Sequence, residues 1–183
     1  MSDDLVFYTN PMSRGRIVRW MLEELGQPYR TVVMDFGPAM KSPEYLAINP
    51  MGKVPAIRHG ETVVTEVAAI CAYLADAFPQ TGLAPPAGSP GRGAYYRWLF
   101  FCAGPLEASV VDKALGVAIP EERQRMVGYG SPEQVLIGVE AALSNGDYVA
   151  GPTFSVADLY LCAQLSWGMQ FGTIEKQIGR AHV

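Results

Sequence analysis

The chain has 183 residues, of which 49% are hydrophobic and 17% are charged, and its formal net charge is −4. Such a composition is typical of a globular protein with enough apolar material for one domain or two small ones. A negative balance without any basic run argues against general binding to nucleic acid or to anionic membranes. The sequence also lacks an apolar stretch of about eighteen residues, and its acidic start, Met-Ser-Asp-Asp, does not resemble a signal peptide.

The cysteines and histidines indicate neither disulfide nor metal chemistry. Cys71, Cys102 and Cys162 are odd in number and far apart, and each lies in an apolar segment. We therefore interpret all three as buried thiols. His59 and His182 are too few to form a zinc site by themselves. We expect a cytoplasmic protein without a metal.

The first part of the chain predicts a strand, a helix and a second strand. Residues 5–8 are a short apolar run, and residues 9–13 have turn chemistry, with Ser13 where a helix N-terminus would begin. Apolar residues then recur at helical spacing until Gly26, and residues 29–34 alternate in the manner of a strand. A βαβ unit of about thirty residues requires a parallel pair of strands.

The next part predicts a short helical turn at Ser42-Pro43, a hairpin and a third helix. The hairpin strands are residues 54–58 and 62–64, and the helix covers residues 65–78, where Pro79 ends it. The order β-α-β-α-β-β-α suits a small mixed sheet with helices packed against it.

Residues 49–57, Asn-Pro-Met-Gly-Lys-Val-Pro-Ala-Ile, place a proline at the start of a strand. Pro55 has no N–H for a sheet, which indicates either an ordinary edge strand or a special turn. If Val54-Pro55 is cis, the N–H and C=O of Val54 stay unpaired by the sheet, and an extended peptide can pair with them.

Beyond residue 80 the pattern changes to helices alone. Residues 80–93 are rich in Pro, Gly and Ser and indicate a linker. Residues 94–111, 131–144 and 155–167 then predict helices, the first buried nearly all round and kinked at Gly104-Pro105. Ser155 and Asp158 have the spacing of a capping box. The sequence predicts two domains, residues 3–82 and residues 87–183.

Four motifs, in this order, resemble those of the soluble glutathione transferases, bacterial members in particular. They are Pro-Met-Ser-Arg-Gly-Arg at 11–16, Asn-Pro-x-Gly-Lys-Val-Pro at 49–55, Thr-Glu-x-x-Ala-Ile at 65–70 and Phe-Ser-Val-Ala-Asp at 154–158. The resemblance extends to about residue 172. It implies an α/β N-terminal thioredoxin-like domain followed by an all-α C-terminal domain. Thioredoxins carry Cys-x-x-Cys where this chain has Pro-Met-Ser-Arg, which rules out dithiol–disulfide exchange.

The resemblance also implies a function and a binding site. The chain would conjugate the thiolate of glutathione, its co-substrate, to a small apolar electrophile in detoxification, as a homodimer. Val54 would pair its backbone with the cysteinyl part of glutathione, and Glu66 would hold the γ-glutamyl end. Lys53 would reach the glycine carboxylate, unless it is only a solvated surface lysine. Val67 stands where the family usually has serine, so we expect weaker glutathione binding than in the family at large.

The catalytic group implied by the resemblance is Ser13. Glutathione must react as a thiolate, which a hydroxyl donor and a helix N-terminus stabilise. Simple helix capping is the alternative role of this serine. Tyr8, near the end of the first strand, is the alternative activator, as some family members use a tyrosine there. The loop from Tyr8 to Arg14 is longer than in those classes, so we favour Ser13.

The end of the chain departs from the family pattern. Residues 175–183 match none of the helices with which family members usually close, so we expect a truncated C-terminal domain with Leu165, Trp167 and Phe171 poorly covered. This departure, together with Val67, favours an alternative function: a non-catalytic glutathione-transferase-like module for binding or interaction.

Overall fold

The structure is a computed structural model that describes residues 5–175. The chain divides between Leu83 and Ala84 into two compact units, and each is described by itself. The strands and helices of the first unit are β1 (Leu5–Thr9), α1 (Gly15–Leu25), β2 (Arg30–Val33), α2 (Pro43–Leu46), β3 (Ala56–His59), β4 (Thr62–Thr65) and α3 (Val67–Ala77). The predicted order β-α-β-α-β-β-α is confirmed.

The first unit is built on one four-stranded sheet with the order β2-β1-β3-β4. Strands β1 and β2 are parallel, and Phe7 lies opposite Thr31. On the other side β1 pairs antiparallel with β3, where Phe7 lies opposite Ile57, and β3 pairs antiparallel with β4. The parallel pair requires a crossover, which α1 supplies.

The core of the first unit lies between the sheet and two helices. Phe7 and Ile57 are fully buried in the central strands. Fully or almost fully buried residues of α1 and α3 are Val18, Met21, Leu22, Ile70, Cys71 and Leu74. Full burial of a side chain such as Phe7 contributes roughly 1.5–3 kcal/mol. This core fixes the ends of β1 and β3, and the loops that follow β1 and precede β3 are therefore held on a rigid support.

Two element boundaries matter for the site. The Val54-Pro55 bond is cis, so the special turn is the correct one of the two alternatives for that segment, and β3 begins only at Ala56, so Val54 precedes the strand. Helix α1 has Arg14 as its N-cap residue. The prediction that Ser13 is the N-cap is therefore wrong by one residue.

The second unit is helical in its described part. Its longer helices are α4 (Pro90–Phe101), α5 (Glu107–Ala114), α6 (Pro132–Leu143) and α7 (Val156–Gln170). Cys102–Leu106 forms a π-helical turn between α4 and α5 at the predicted Gly104-Pro105 irregularity, because Pro105 has no N–H to continue the ladder. Ser155 and Asp158 form the predicted capping box at the start of α7.

Two predictions of burial need correction. Phe100 is 72% exposed, so α4 is buried on one side only, by residues such as Tyr95 and Trp98. Cys162 is exposed, whereas Cys71 and Cys102 are buried as predicted.

The prediction of poorly covered apolar side chains near the end of α7 is wrong for one residue and confirmed for another. Leu165 is buried, although we expected it to be poorly covered, whereas Phe171 is 61% exposed. Residues 176–183, on which part of the expectation about the chain's end depends, lie outside the described residues.

Candidate functional site

A cleft of about 390 Å³ opens in the first unit beside the ends of α1 and β3. This volume is within the range of small-molecule sites. Its lining residues are Met12, Ser13, Arg14, Phe36, Gly37, Met40, Lys41, Gly52, Lys53 and Val54. The cleft brings together three of the five predicted site residues, Ser13, Lys53 and Val54. Glu66 and Val67 are not among its lining residues.

Ser13 is held in the loop between β1 and α1 by hydrogen bonds on both sides of its hydroxyl. The Oγ–H donates to the carbonyl of Asn10 at 2.7 Å, and Oγ accepts from the N–H of Gly15 at 3.0 Å. Asn10 is itself buried, and its side chain bonds Met34 and Met12 at 2.8 and 2.9 Å. The hydroxyl therefore has a fixed position at the positive end of α1.

Gly15 allows this close arrangement. A Cβ at position 15 would collide with Oγ1 of Thr9 and lie 3.0 Å from Oγ of Ser13. Only glycine lets the first turn of α1 approach the end of β1 so closely. The N–H that Gly15 directs at Ser13 makes the serine hydroxyl a better donor, because hydrogen bonds in a chain polarise one another.

Residues 49–54 form a turn, here called the docking turn, that leads into β3. Gly52 has φ = 58°, and its N–H donates to the carbonyl of Asn49 at 2.8 Å. A Cβ at Gly52 would lie 2.5 Å from the carbonyl oxygen of Met40, so the turn approaches the preceding loop closely. Within the described residues, no group hydrogen-bonds the N–H or C=O of Val54.

Two lysines supply positive charge to this cleft. Lys53 is exposed at its rim. Lys41 donates from Nζ to the carbonyls of Met51 and Gly52 at 2.9 and 3.3 Å, and thereby ties the preceding loop to the docking turn. Sequence reasoning did not select Lys41, because a lysine in a loop carries no pattern that distinguishes it from a solvated one.

Tyr8 is half-buried and does not line the cleft. Its ring packs against the ring of Tyr45, with centroids 5.9 Å apart and planes tilted by 53°. Tyr45 is 3% exposed, and burial raises its pKa to about 12. Tyr45 therefore remains a hydroxyl donor at physiological pH.

Helix α3 begins with a distorted residue. Glu66, the residue before Val67, has φ = 67°, and it is the only non-glycine residue with positive φ among residues 5–175. Its side chain makes no capping bond and is exposed. Val67 is 8% exposed. The first N–H groups of α3 have no intrahelical acceptor, which makes this end attractive to an anion.

Residues 5–175 contain neither a candidate metal-binding cluster nor a helix suited to span a membrane. Across residues 5–175, no group of three or more His, Cys, Asp or Glu side chains is placed to hold a metal ion. None of the helices in that range has both the length and the apolar character required to span a bilayer.

Comparisons with known proteins identify the family. Residues 12–77 match the family model of the glutathione S-transferase N-terminal domain. The glutathione S-transferase GST-4.5 of Xanthomonas campestris is 30% identical over 174 residues, which cover 90% of this chain and 83% of that protein. GstA of Escherichia coli O157:H7 is 33% identical over 80% of this chain and 73% of its own length. The chain belongs to the glutathione S-transferase family.

Solved structures agree with this assignment. A Sulfitobacter glutathione transferase homolog with bound glutathione has a TM-score of 0.74 and 29% identity, covering 98% of this chain and 89% of its own. A sphingomonad glutathione S-transferase complexed with glutathione has a TM-score of 0.75 and 30% identity, covering 96% and 88%. The thioredoxin-like fold with a helical second part is thereby confirmed.

Proposed function

We propose that this protein is a glutathione transferase that conjugates the glutathione thiolate to a small apolar electrophile. The observation that carries the proposal is the meeting of Ser13 and Val54 in one cleft, with the Ser13 hydroxyl at the N-terminus of α1 and the Val54 main chain unpaired by the described residues. A hydroxyl donor beside a strand-like edge suits a tripeptide whose thiol must be ionised.

Each part of glutathione has a proposed partner in the first unit. The cysteinyl backbone pairs with the N–H and C=O of Val54. The glycine carboxylate meets Lys53 at the rim, with Lys41 as a second cation. The γ-glutamyl end meets the carboxylate of Glu66 through its ammonium and the N–H of Val67 through its carboxylate. Charge complementarity supports the pairings at the two ends of glutathione, and hydrogen bonding between main chains supports the pairing with Val54.

The role of Ser13 is to lower the pKa of the bound thiol. Its hydroxyl rotates about the Cβ–Oγ bond from the carbonyl of Asn10 to the sulfur, while Oγ keeps the bond from Gly15. The thiol proton leaves to solvent. The thiolate then attacks carbon, a C–S bond forms, and the leaving group departs with its electron pair or, in an addition, the substrate carbon takes a proton.

The decisive experiment compares wild type with Ser13→Ala on immobilised glutathione and in conjugation of a chromogenic electrophile. We expect Ser13→Ala to retain binding to glutathione and its kcat to fall by about 100-fold, because a hydrogen-bond donor to the transition state is lost. Ser144→Ala is the matched control, since its hydroxyl also donates to a main-chain carbonyl, that of Glu140 at 2.8 Å. Full activity in Ser13→Ala with loss in Tyr8→Phe would assign activation to Tyr8 instead.

A second candidate function is a non-catalytic binding module of the same family. The observation that favours it is the Ser13 hydroxyl, which already donates to Asn10 at 2.7 Å. Val67 also offers no hydroxyl to the ligand. Retention on glutathione without turnover of any of a panel of electrophiles supports the module, and turnover excludes it.

Assembly and location complete the proposal. We propose a homodimer that acts in the cytoplasm in detoxification, and the family resemblance alone supports the dimer and the role in detoxification. Light scattering coupled to size-exclusion chromatography tests the dimer, because a mass near that of one 19.9 kDa chain contradicts it.

A further inference from the structure

One main-chain carbonyl of the docking turn receives two buried side-chain donors. The hydroxyl of Tyr45 donates to the carbonyl oxygen of Lys53 at 2.6 Å, and Nδ2 of Asn49 donates to the same oxygen at 2.8 Å. Both side chains are 3% exposed. A carbonyl oxygen has two lone pairs, so this acceptor is fully used.

The geometry of the peptide unit transmits this anchoring to Val54. The Lys53 carbonyl and the Val54 N–H belong to one planar peptide, which is trans, so the two groups point in opposite directions. With the oxygen held inward by two donors, the N–H faces away from them. The same pair of hydrogen bonds polarises the peptide and strengthens the N–H as a donor.

Both donors are themselves fixed. Oδ1 of Asn49 accepts a hydrogen bond from the N–H of Met51 at 3.0 Å, which sets the orientation of the amide. In the reversed orientation Oδ1 would face the Lys53 carbonyl and Nδ2 would face the Met51 N–H, so neither hydrogen bond could form. Tyr45 is held by its ring contact with Tyr8. Neither side chain lines the cleft, so neither is placed to touch the ligand.

We propose that Tyr45 and Asn49 are positioning residues that aim the N–H of Val54 at the cysteinyl carbonyl of glutathione. The inference rests on the proposed function, because it concerns the same site. It assigns the affinity for glutathione partly to two buried side chains outside the cleft. They act on ligand binding, and Ser13 acts on the chemical step.

The test is Tyr45→Phe, which removes the hydroxyl and keeps the buried ring. The variant lacks one of the two hydrogen bonds that orient the Lys53–Val54 peptide before the ligand binds. We therefore expect Kd for glutathione, measured by calorimetry, and KM to rise about fivefold, while kcat stays within about twofold. In the ligand-free protein the Val54 amide resonance moves upfield, which a general loss of stability does not produce. Tyr29→Phe is the matched control, since its hydroxyl donates to Glu23 at 2.7 Å on an exposed surface.

Asn49→Asp is the second variant and keeps the volume and the bond to Met51. It replaces the donor to Lys53 by an acceptor, so Kd rises at least as much as in Tyr45→Phe. Unchanged Kd and an unmoved Val54 resonance in both folded variants overturn this inference and leave the proposed function intact. If wild type itself fails to bind glutathione, the proposed function and this inference are both overturned.

Discussion

The docking turn and the start of α3 are the two regions of the first unit to which we assign the ends of glutathione, and they are built in opposite ways. In the docking turn, the carbonyls of residues 51–53 all accept hydrogen bonds from side chains, those of Lys41, Tyr45 and Asn49. At the start of α3, Glu66 has an unfavourable backbone conformation and an exposed carboxylate without a capping bond.

This difference between the two regions indicates which of them is ordered for binding before the ligand arrives. In the docking turn, buried donors order the main chain before a ligand arrives, so less conformational entropy is lost on binding. At α3, the strained φ of Glu66 is held by its surroundings and no hydroxyl follows it, since position 67 is valine. We infer that the docking turn determines whether glutathione binds, and that the start of α3 adjusts how tightly.

The largest expected effect comes from Gly52→Ala in the docking turn. A Cβ there meets the Met40 carbonyl at 2.5 Å and the residue has φ = 58°, so the free energy of unfolding falls by roughly 3 kcal/mol. Urea denaturation measures this loss. Gly82→Ala is the control, because φ is 70° there but no atom lies within 4 Å of an added Cβ. Only the left-handed backbone conformation lowers the free energy of unfolding in this variant, by about 1 kcal/mol.

Equal losses in the two glycine variants would contradict the close approach of the docking turn to the loop before it. Glutathione affinity provides the second readout of the pair. We expect it to fall strongly in Gly52→Ala and to stay unchanged in Gly82→Ala, because only the first displaces the main chain that leads to Val54.

The sequence predicts the two regions unequally well. The element order and the position of Val54 follow from local signals, namely periodicity, turn residues and the proline after Val54. The donors from Tyr45 and Asn49 do not, because a side chain that bonds a carbonyl several residues away leaves no periodic trace. The positive φ of Glu66 is also unpredictable, since glutamate has no preference for that conformation.

The burial of α4 in the second unit was wrongly predicted because its sequence pattern is not one-sided. Residues 94–101 are bulky on every side of the predicted helix, so their pattern gives no direction of burial. Only the packing of the helix shows that Tyr95 and Trp98 face inward and that Phe100 faces outward. Where the apolar stripe is more one-sided, as in α1, most of the pattern is buried, namely Ile17, Met21, Leu22 and Leu25, whereas Trp20 is 37% exposed.

Substitutions of Glu66 are expected to have smaller effects, and two variants separate the effect on stability from the effect on glutathione binding. Glu66→Gly relieves the positive φ and raises the free energy of unfolding by about 1 kcal/mol, after the entropic cost of glycine. Glutathione binding weakens about tenfold, because the carboxylate that meets the ligand ammonium is gone. Glu66→Gln is the matched control, with the strain kept and the charge removed. We expect weaker binding without a gain in stability, and a gain in Glu66→Gln would show that φ is not the cause.

The smallest expected effect is a gain of affinity from Val67→Ser. A hydroxyl at the start of α3 adds one hydrogen bond to the γ-glutamyl carboxylate, worth about 1 kcal/mol, so Kd for glutathione falls about fivefold. Val67 is 8% exposed, so stability drops through lost apolar burial. Val67→Ala loses the same burial without adding a hydroxyl, and calorimetry should find its Kd unchanged. Equal Kd values for the serine and alanine variants would mean that the ligand carboxylate does not reach α3.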